Sequence, residues 1–490
     1  MRSKSVGKNA ILNFIKTFCS IAFPLITFPY VTRVLKADNL GKVNYANSIV
    51  QYFVLIAVLG TVTYATRECS SVRDDRERLQ KTANEIFGLN IVTFAVSIIA
   101  LAVMMLISDF SSYRLLILIY SAEILFKAFS FEWINSVFED FAYITVRTII
   151  IQTISLVLTF TLIKDSNDYY LYAFIQTTSI GIISIANIIY TRRYLKIRPS
   201  FGFPATFIHL RNSLVFFANS LAITVYCNSD ITMLGIFKDD FAVGVYSVSA
   251  KIYTILKNLL AAVLVVCIPR LSNYFNQGKE DKAQELLDSI SKTLILIIIP
   301  AACGMAALSS EIIHVVSGEE YIHGAGALSI LSLAMIFAIL GGIVNNCILI
   351  PIKQEKINLI ATLSAAISNF GLNFILIPFL GVNGAAITTV VAEMVAFFLS
   401  LIVSKEARQH FRIKKYFKSF VHSLIGGLTV LLIIHSLRSG SLKTIAIIGI
   451  SIPISFVAYF TELLLFKDDM LTLAMRRLKS QFGIGKKRQP

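Results

Sequence analysis

The sequence predicts an all-α polytopic membrane protein with about fourteen transmembrane helices. Hydrophobic residues make up 56% of the 490-residue chain and charged residues only 15%, which is far too apolar for a soluble protein. Apolar windows long enough to cross a bilayer recur from end to end. Lysine and arginine gather in the gaps between these windows, so the net charge of +16 indicates membrane orientation rather than nucleic-acid binding.

Apolar windows of about 20 residues define the predicted spans. The first window is interrupted by Lys16 and lacks a small-residue cleavage site, so we expect it to remain in the mature protein as a helix rather than be removed as a signal peptide. The predicted spans are 10–33, 43–64, 84–107, 114–136, 143–163, 170–190, 213–236, 243–268, 292–315, 325–350, 357–378, 383–404, 419–437 and 443–465.

Charge and loop length set the predicted orientation. Far more Lys and Arg lie in the gaps assigned to the cytoplasm than in the outer turns, so both termini are expected to be cytoplasmic. The outer turns are short, as at 164–169 and 379–383, which leaves no room for an external domain. The longer, basic inner loops are 67–81, 191–212 and 405–418.

A fourth inner gap, 270–292, has helical amphipathic periodicity. It predicts a surface helix lying against the inner leaflet, with partner docking as the alternative. Its apolar side consists of Ala283, Leu286, Leu287 and Ile290.

The stretch 23–54 is a hydrophobic hairpin with polar residues where a membrane span does not need them. A short polar turn, 36–42, separates its arms. The second arm places Asn44, Ser48 and Gln51 on one helical face. Because polar groups in hydrocarbon cost several kcal/mol without partners or water, this face is expected to look into a bundle interior or a wet cavity.

The same arrangement returns about 203 residues later, which indicates an internal duplication. Gly41 aligns with Gly244 and Arg67 with Arg270, without a gap. Few identities survive, so a chance alignment of two apolar hairpins is the alternative. The polar face of the first hairpin aligns with Ser247, Lys251 and Thr254.

Three predicted domains follow from the duplication and from the basic, proline-containing loop 192–207. Residues 1–208 form an N-terminal lobe with spans 1 to 6, and residues 209–404 form a second lobe with spans 7 to 12. Residues 405–490 add spans 13 and 14 and a basic cytoplasmic tail.

Three segments carry a family resemblance: PYVTRVLKADNLGKVNYANSIVQYF in the first hairpin, Asp230-x-x-x-Leu234-Gly235 followed by VGVYSVSAKIY, and LNFILIPFLGVNGAAITTVVAE at 372–393. Through them, nearly the whole chain resembles the polysaccharide-transporter branch of the multidrug/oligosaccharidyl-lipid/polysaccharide exporter superfamily. The resemblance implies a flippase for lipid-linked repeat units of O-antigen, capsule or exopolysaccharide. It also implies two pseudo-symmetric six-helix lobes around a central cavity, with spans 13 and 14 extending a lipid-accessible groove.

Lysines inside the predicted spans are informative because such residues usually face a cavity or a partner. Lys16 and Lys251 lie about 10 Å and about 12 Å into their helices, and neither has an acidic residue on its own face. Two ammonium groups in a cavity suit a diphosphate; pairing with Asp230 or Glu393 is the alternative. The predicted substrate-binding residues are Lys16, Arg33, Asn44, Ser48, Gln51, Ser247, Lys251, Thr254 and Asn258.

Carboxylates inside the spans are candidates for energy coupling. Asp230 and Glu393 are predicted proton or Na⁺ sites, because a carboxylate in a membrane cavity can change protonation when its surroundings change. A fixed salt bridge to a lysine is the alternative. Glu123 and Lys127 are one helical turn apart and are predicted to neutralise each other. The remaining charges within spans are Glu132, Arg147 and Lys257.

Enzymatic signatures are absent from the sequence. It contains no G-x-x-x-x-G-K-[ST] and no H-E-x-x-H, and its six cysteines are scattered singly, so we expect neither ATP hydrolysis, nor a metal site, nor a cofactor. A membrane polymerase or ligase for glycans is disfavoured because it needs a long external loop.

The sequence therefore predicts a flippase of the bacterial cytoplasmic membrane that moves a polyprenyl-diphosphate-linked oligosaccharide by alternating access. Its expected partners are the lipid-linked glycan, membrane lipid, and the polysaccharide polymerase and glycosyltransferases of the same pathway. A multidrug or small-cation antiporter on the same fold is the alternative, and its cavity would be acidic rather than basic.

Overall fold

The computed structural model describes residues 6–440, 442–468 and 472, and within these ranges no residue belongs to a β-strand. Short 3₁₀ and π turns connect some of the helices. The described α-helices are α1 (Val6–Val58), α2 (Thr61–Ser71), α3 (Arg76–Met104), α4 (Arg114–Ala128), α5 (Glu132–Val137), α6 (Phe141–Leu162), α7 (Tyr169–Thr191), α8 (Phe203–Phe237), α9 (Asp240–Asn276), α10 (Glu280–Ala307), α11 (Ser309–Ser317), α12 (Ala325–Val344), α13 (Glu355–Val403), α14 (Lys405–His410), α15 (Ile413–Arg438) and α16 (Thr444–Leu465).

Eleven helical stretches in the described ranges are long and apolar enough to cross a membrane. Two of them, Ala22–Ser71 and Glu355–Val403, have 50 and 49 residues. A straight helix of that length would be about 75 Å long, more than twice the roughly 30 Å of the hydrocarbon core, so each stretch holds two spans. α4 and α5 supply the predicted fourth span, 114–136. The expectation of an all-α membrane protein with about fourteen spans is confirmed.

Two predicted turns are single-residue breaks in helices that continue at once. Lys36 has φ 68° and ψ 168° inside α1, and Gly381 has φ 54° and ψ −128° inside α13. Glycine adopts a positive φ at little cost, whereas a lysine there is strained by about 1 to 2 kcal/mol. The turns expected at 36–42 and 379–383 are correctly placed, but each is a break at a single residue rather than a loop of several residues.

The fourth predicted span is discontinuous. α4 ends at Ala128 and α5 begins at Glu132, because Phe131 takes a left-handed conformation with φ 46°. A bulky residue in this conformation is strained. Helices broken at membrane depth free backbone groups and are frequent at transport sites.

The predicted amphipathic helix in 270–292 is present as the first part of α10, but its placement against the inner leaflet is wrong. α9 continues to Asn276 and α10 begins at Glu280, so only a short turn separates them. α10 packs along α15, so protein rather than a leaflet surface covers its apolar side. Of the residues assigned to that side, those buried in the structure are Ala283, Leu287 and Ile290.

The predicted linker after span 6 is docked on α3. The backbone nitrogen of Ser200 donates to the carbonyl oxygen of Asn84 at 3.1 Å, and that of Arg198 donates to the Asn84 side chain at 2.9 Å. Gln80 Oε1 accepts from the nitrogen of Lys196 at 3.1 Å. Three backbone nitrogens of the segment are therefore satisfied by α3, which holds the segment against that helix.

The helices fall into two compact units. Unit 1 comprises residues 1–247 and 370–382, and unit 2 comprises residues 248–369 and 383–490. The predicted domains 1–208, 209–404 and 405–490 were defined by the internal duplication rather than by contacts, so they stay a prediction.

The core of unit 1 is built around the second arm of the first hairpin. Val43, Ala46 and Val50 of α1 belong to one buried cluster with Ile117 and Tyr120 of α4. Small and branched side chains here let the helices approach closely, which is the main source of packing energy inside a membrane.

The core of unit 2 includes a buried carboxylate. Asp288 of α10 accepts a hydrogen bond from the Tyr416 hydroxyl at 2.9 Å and pairs with Lys415, both on α15. Gln284, one turn earlier on α10, donates to the backbone oxygen of His410 at 3.0 Å and lies 3.0 Å from His410 Nδ1. α14 and α15 are therefore fastened to α10 by polar contacts.

Candidate functional site

Lys16 is ion-paired. Its Nζ lies 3.3 Å from Glu132 Oε1, and Arg147 Nη2 of α6 lies 3.8 Å from the same oxygen. The side chains of Lys16 and Glu132 are each 33% exposed, whereas that of Arg147 is 5% exposed. We expected Asp230 or Glu393 as the alternative partner of Lys16. The partner is Glu132, which comes from the broken fourth span.

The guanidinium group of Arg147 is held by the buried side-chain amide of Asn187. Asn187 Oδ1 accepts from Arg147 Nη1 and, at 3.1 Å, from Asn135 Nδ2. Arg147 Nη2 also lies 3.4 Å from Thr148 Oγ1. Arg147 Nε and Asn187 Nδ2 are buried donors with no acceptor among the described residues. The cluster thus has two cations for one carboxylate, and these two donors and one buried acceptor, Asn135 Oδ1, remain unpaired among the described residues.

The polar face of the first hairpin is tied to its neighbours in unit 1. Ser48 donates to the carbonyl oxygen of Tyr45 at 2.8 Å and accepts from Thr232 at 2.9 Å. Gln51 donates to Glu123 Oε2 at 3.1 Å and accepts from Lys127 at 3.1 Å. This face therefore looks into a bundle, as expected.

Glu123 and Lys127 neutralise each other as the sequence predicted. Their charged atoms are 3.1 Å apart, and Glu123 is buried. Two other predicted residues nearby differ in exposure: Asn44 is half-buried, and Arg33 is exposed three residues before the break at Lys36.

Lys251 of α9 makes no hydrogen bond or ion pair with any described residue. It is half-buried in α9, a helix long and apolar enough to cross a membrane, about 16 Å from the first residue of that helix at 1.5 Å per residue. The hydroxyl of Ser247 is buried, with no partner among the described residues. Thr254 and Asn258 are exposed, and the Thr254 hydroxyl donates to the carbonyl oxygen of Ala250 at 2.7 Å.

Asp230 is buried among neutral donors in unit 1. Asn373 Nδ2 donates to Asp230 Oδ1 at 2.7 Å, and the Tyr246 hydroxyl donates to Oδ2. Asp230 was a predicted site residue, whereas neither of these two donors was. An asparagine within an apolar span is the signal that could have found Asn373, because such amides need partners in hydrocarbon.

Glu393 is paired within unit 2. Its Oε1 lies 3.3 Å from Lys257 Nζ and accepts from the Tyr253 hydroxyl at 2.9 Å. A salt bridge to a lysine was the expected alternative to ion coupling, although Lys257 was not the lysine named. The predicted site residues thus fall in both units, and their joining into one site stays a prediction.

Unit 2 contains an apolar groove of about 740 Å³. α9, α10, α15 and α16 supply most of its wall, and Ser451, Ser455 and Tyr459 are among its few polar residues. The outer rim carries exposed Leu259, Ile297 and Phe456. A long hydrocarbon chain fits such a surface, because burying apolar area needs no directional contacts.

The comparisons with known proteins decide the family. A family model described as "Polysaccharide biosynthesis protein" matches residues 6–275, more than half of the chain. The chain belongs to this family. A second model, "Lipid II flippase MurJ", matches residues 188–457. The chain thus belongs to the polysaccharide-transporter branch of the exporter superfamily, as the sequence motifs indicated.

Relatives and one solved structure agree with the family. The chain is 24% identical over 394 residues to a Shigella dysenteriae protein named "Putative O-antigen transporter", covering 79% of this chain and 97% of that protein. It is 26% identical over 205 residues to the "Probable low-salt glycan biosynthesis flippase Agl15" of Haloferax volcanii, 42% of each chain. The structure titled "Lipid II flippase MurJ, inward closed conformation" has the same fold, with a TM-score of 0.78 at 18% identity over 94% of this chain and all of that one. These relatives are transporters rather than enzymes.

Proposed function

We propose that this protein is a flippase that moves polyprenyl-diphosphate-linked oligosaccharide repeat units from the inner to the outer leaflet by alternating access. The product would serve O-antigen, capsule or exopolysaccharide biosynthesis. Support comes from the family and from the names of the relatives, an O-antigen transporter and a glycan flippase.

One observation carries the substrate class. Lys251 is a cation within a membrane helix that has no acceptor among the described residues. Glu123 and Glu393 each lie against a lysine, and the Asp230 oxygens accept from Tyr246 and Asn373. Lys251 thus offers an ammonium group that no described side chain neutralises, which favours an anionic substrate such as a diphosphate over a cationic drug.

The apolar groove of unit 2 suits the other end of the substrate. A polyprenyl tail would lie along α15 and α16, with its hydrocarbon against the groove and the bilayer. The glycan and the diphosphate would cross by way of Lys16, Lys251 and the polar residues grouped with them, each offering donors to oxygen atoms. This division keeps polar groups out of hydrocarbon at every stage.

Energy coupling is assigned to Asp230 and Glu393 as part of the proposal. Asp230 is a buried carboxylate that accepts hydrogen bonds from Asn373 and Tyr246, and a carboxylate in a membrane cavity can take up a proton or an ion when its surroundings change. Glu393 would exchange the Lys257 ion pair for a proton or Na⁺ as the surroundings change.

We also propose a bacterial cytoplasmic membrane location with both termini in the cytoplasm. Basic inner segments and short outer turns support that orientation. A polysaccharide polymerase and glycosyltransferases would act on the same lipid-linked glycan before and after transport.

Reconstitution tests the proposal directly. Purified protein is placed in proteoliposomes with a polyprenyl-diphosphate-linked oligosaccharide, and the fraction of glycan accessible to an external glycosidase is followed with time. Protein-dependent exposure of the inner-leaflet glycan is the expected result. Transport of a cationic dye without glycan exposure would replace the proposal by the antiporter.

A further inference from the structure

Resting on the proposed function, we propose that Glu132 is the resident counter-ion of an anion site formed by Lys16 and Arg147, and that the diphosphate of the substrate takes its place on Lys16. The site lies wholly in unit 1, at the break between α4 and α5. Lys16, Glu132 and Arg147 lie on three different helices, so their proximity could not be predicted from the sequence alone.

The cluster of Lys16, Glu132 and Arg147 carries a net positive charge. Glu132 Oε1 is shared by two cations, with Lys16 Nζ at 3.3 Å and Arg147 Nη2 at 3.8 Å. One carboxylate therefore opposes two positive charges. Two close cations with one counter-ion attract a further anion.

Unpaired hydrogen-bond donors in the cluster also favour binding of a second anion. Arg147 Nε and Asn187 Nδ2 are buried donors without an acceptor among the described residues. An unsatisfied buried donor costs free energy that an incoming acceptor recovers. A diphosphate presents several oxygens to such donors, whereas Glu132 has only two.

Arg147 is the fixed part of the cluster, and the Lys16–Glu132 ion pair is the part that can exchange. Arg147 is buried and anchored by Asn187 and Thr148, so it stays in place. Lys16 and Glu132 are each 33% exposed, and a partly exposed ion pair is weak enough to exchange. The exchange is thus confined to the Lys16–Glu132 contact.

Glu132 lies in a short helical segment that has a strained residue on each side. α5 has six residues and is flanked by Phe131 at φ 46° and Glu139 at φ 53°, both in the left-handed region. Strained residues cluster at ligand clamps and switch regions, and hinges are a few residues at the ends of elements. A competing carboxylate on such a segment also prevents the cation pair from holding the diphosphate too tightly to release it.

A natural probe lies beside the site. Trp133 is the single tryptophan of the sequence, follows Glu132 directly, and is buried with Ile134 and Tyr64. The full-length protein in detergent is titrated with sodium pyrophosphate. Affinity is measured by equilibrium dialysis of labelled pyrophosphate, and Trp133 emission reports whether binding occurs at this break.

The variants have opposite expected effects. Glu132→Gln removes the competitor and should bind pyrophosphate about three- to tenfold more tightly. Lys16→Gln should bind about tenfold more weakly, and Lys16→Arg should stay within about threefold of the unmodified protein. The matched control is Glu139→Gln. Glu139 lies just after α5 and pairs with Arg73 at 3.0 Å rather than with Lys16 or Arg147, so this substitution is expected to leave the affinity unchanged.

Three results would overturn the proposal: no saturable pyrophosphate binding, binding that Lys16→Gln leaves unaltered, or a Glu132→Gln variant that binds no more tightly than the unmodified protein. Thermal unfolding of each variant shows that it is folded. Failure of the proposed function is distinguishable, because glycan exposure in proteoliposomes is measured separately. Opposite shifts without glycan exposure would keep the anion site and reject the flippase.

Discussion

Gly41 and Gly244 each pack against the backbone of the other's hairpin in unit 1. A Cβ on Gly41 would lie 1.8 Å from the carbonyl oxygen of Asp240, and one on Gly244 would lie 2.0 Å from that of Ala37. Ala37 and Asp240 are separated by the same offset as the two glycines, about 203 positions, so the contact is reciprocal. Reciprocity of this kind is what the internal duplication predicts for two related hairpins.

Replacing either glycine by alanine should therefore destabilise the protein. The added methyl group meets backbone atoms, which cannot turn aside as a side chain can, so we expect a loss of about 1 to 3 kcal/mol for Gly41→Ala and for Gly244→Ala alike. Thermal unfolding in detergent and membrane abundance measure the effect. Gly449→Ala is the matched control, because a Cβ there has no neighbour within 4 Å. Normal stability of both variants would contradict the close contact.

The spans and their breaks could be predicted because a bilayer leaves few choices. Backbone groups in hydrocarbon are satisfied only within helices, so long apolar windows become helices, and a polar interval such as 36–42 becomes the place where a helix bends. Phe131 gave no comparable signal. It is neither glycine nor proline, and its left-handed conformation follows from the surrounding packing.

Partners of the charged residues were harder to predict than their positions. Glu123 and Lys127 share one helix, so periodicity alone paired them correctly. Lys16 and Glu132 are 116 positions apart and belong to different helices, and the carboxylates predicted as alternative partners of that lysine were Asp230 and Glu393. Likewise the apolar side of 270–292 was recognised, but whether lipid or protein covers it depends on where α15 lies.

Cysteine labelling should resolve the orientation. In a variant lacking the six native cysteines, a cysteine at Asn167 or Gly440 should react with an impermeant thiol reagent in intact cells. A cysteine at Ser200 or Gln409 should react only after permeabilisation, because basic segments stay in the cytoplasm. Labelling at Gln409 from outside would reverse the proposed topology.

Acidification should weaken the contact between α10 and α14. Burial lowers the pKa of His410 below its usual value, with smaller and opposing effects from Glu280 and Arg412. The folded protein therefore disfavours protonated His410, and its stability should fall as the pH drops below about 6.5, where the unfolded chain takes up the proton first. Thermal unfolding at pH 7.5 and pH 5.5 measures the loss, and His410→Gln should reduce the difference. An equal difference in that variant would assign the pH dependence to other groups.

Lys251 gives the sharpest test of the cationic site. Lys251→Gln keeps the length and the hydrogen-bonding capacity of the side chain but removes its charge, so glycan exposure should fall about tenfold while membrane abundance is retained. Lys251→Arg should keep much of the activity, because charge and donors remain. Lys443→Gln is the control, since Lys443 is exposed at the start of α16.

The same experiment separates substrate contact from a structural ion pair. If Lys251 only neutralised Asp230, the change Lys251→Gln would strand a carboxylate, and adding Asp230→Asn would restore transport. In the structure Asp230 instead accepts from Tyr246 and Asn373, so we expect the double variant to be no more active than Lys251→Gln. Rescue by the double variant would make Lys251 a counter-ion, and full transport by Lys251→Gln would remove it from the substrate path.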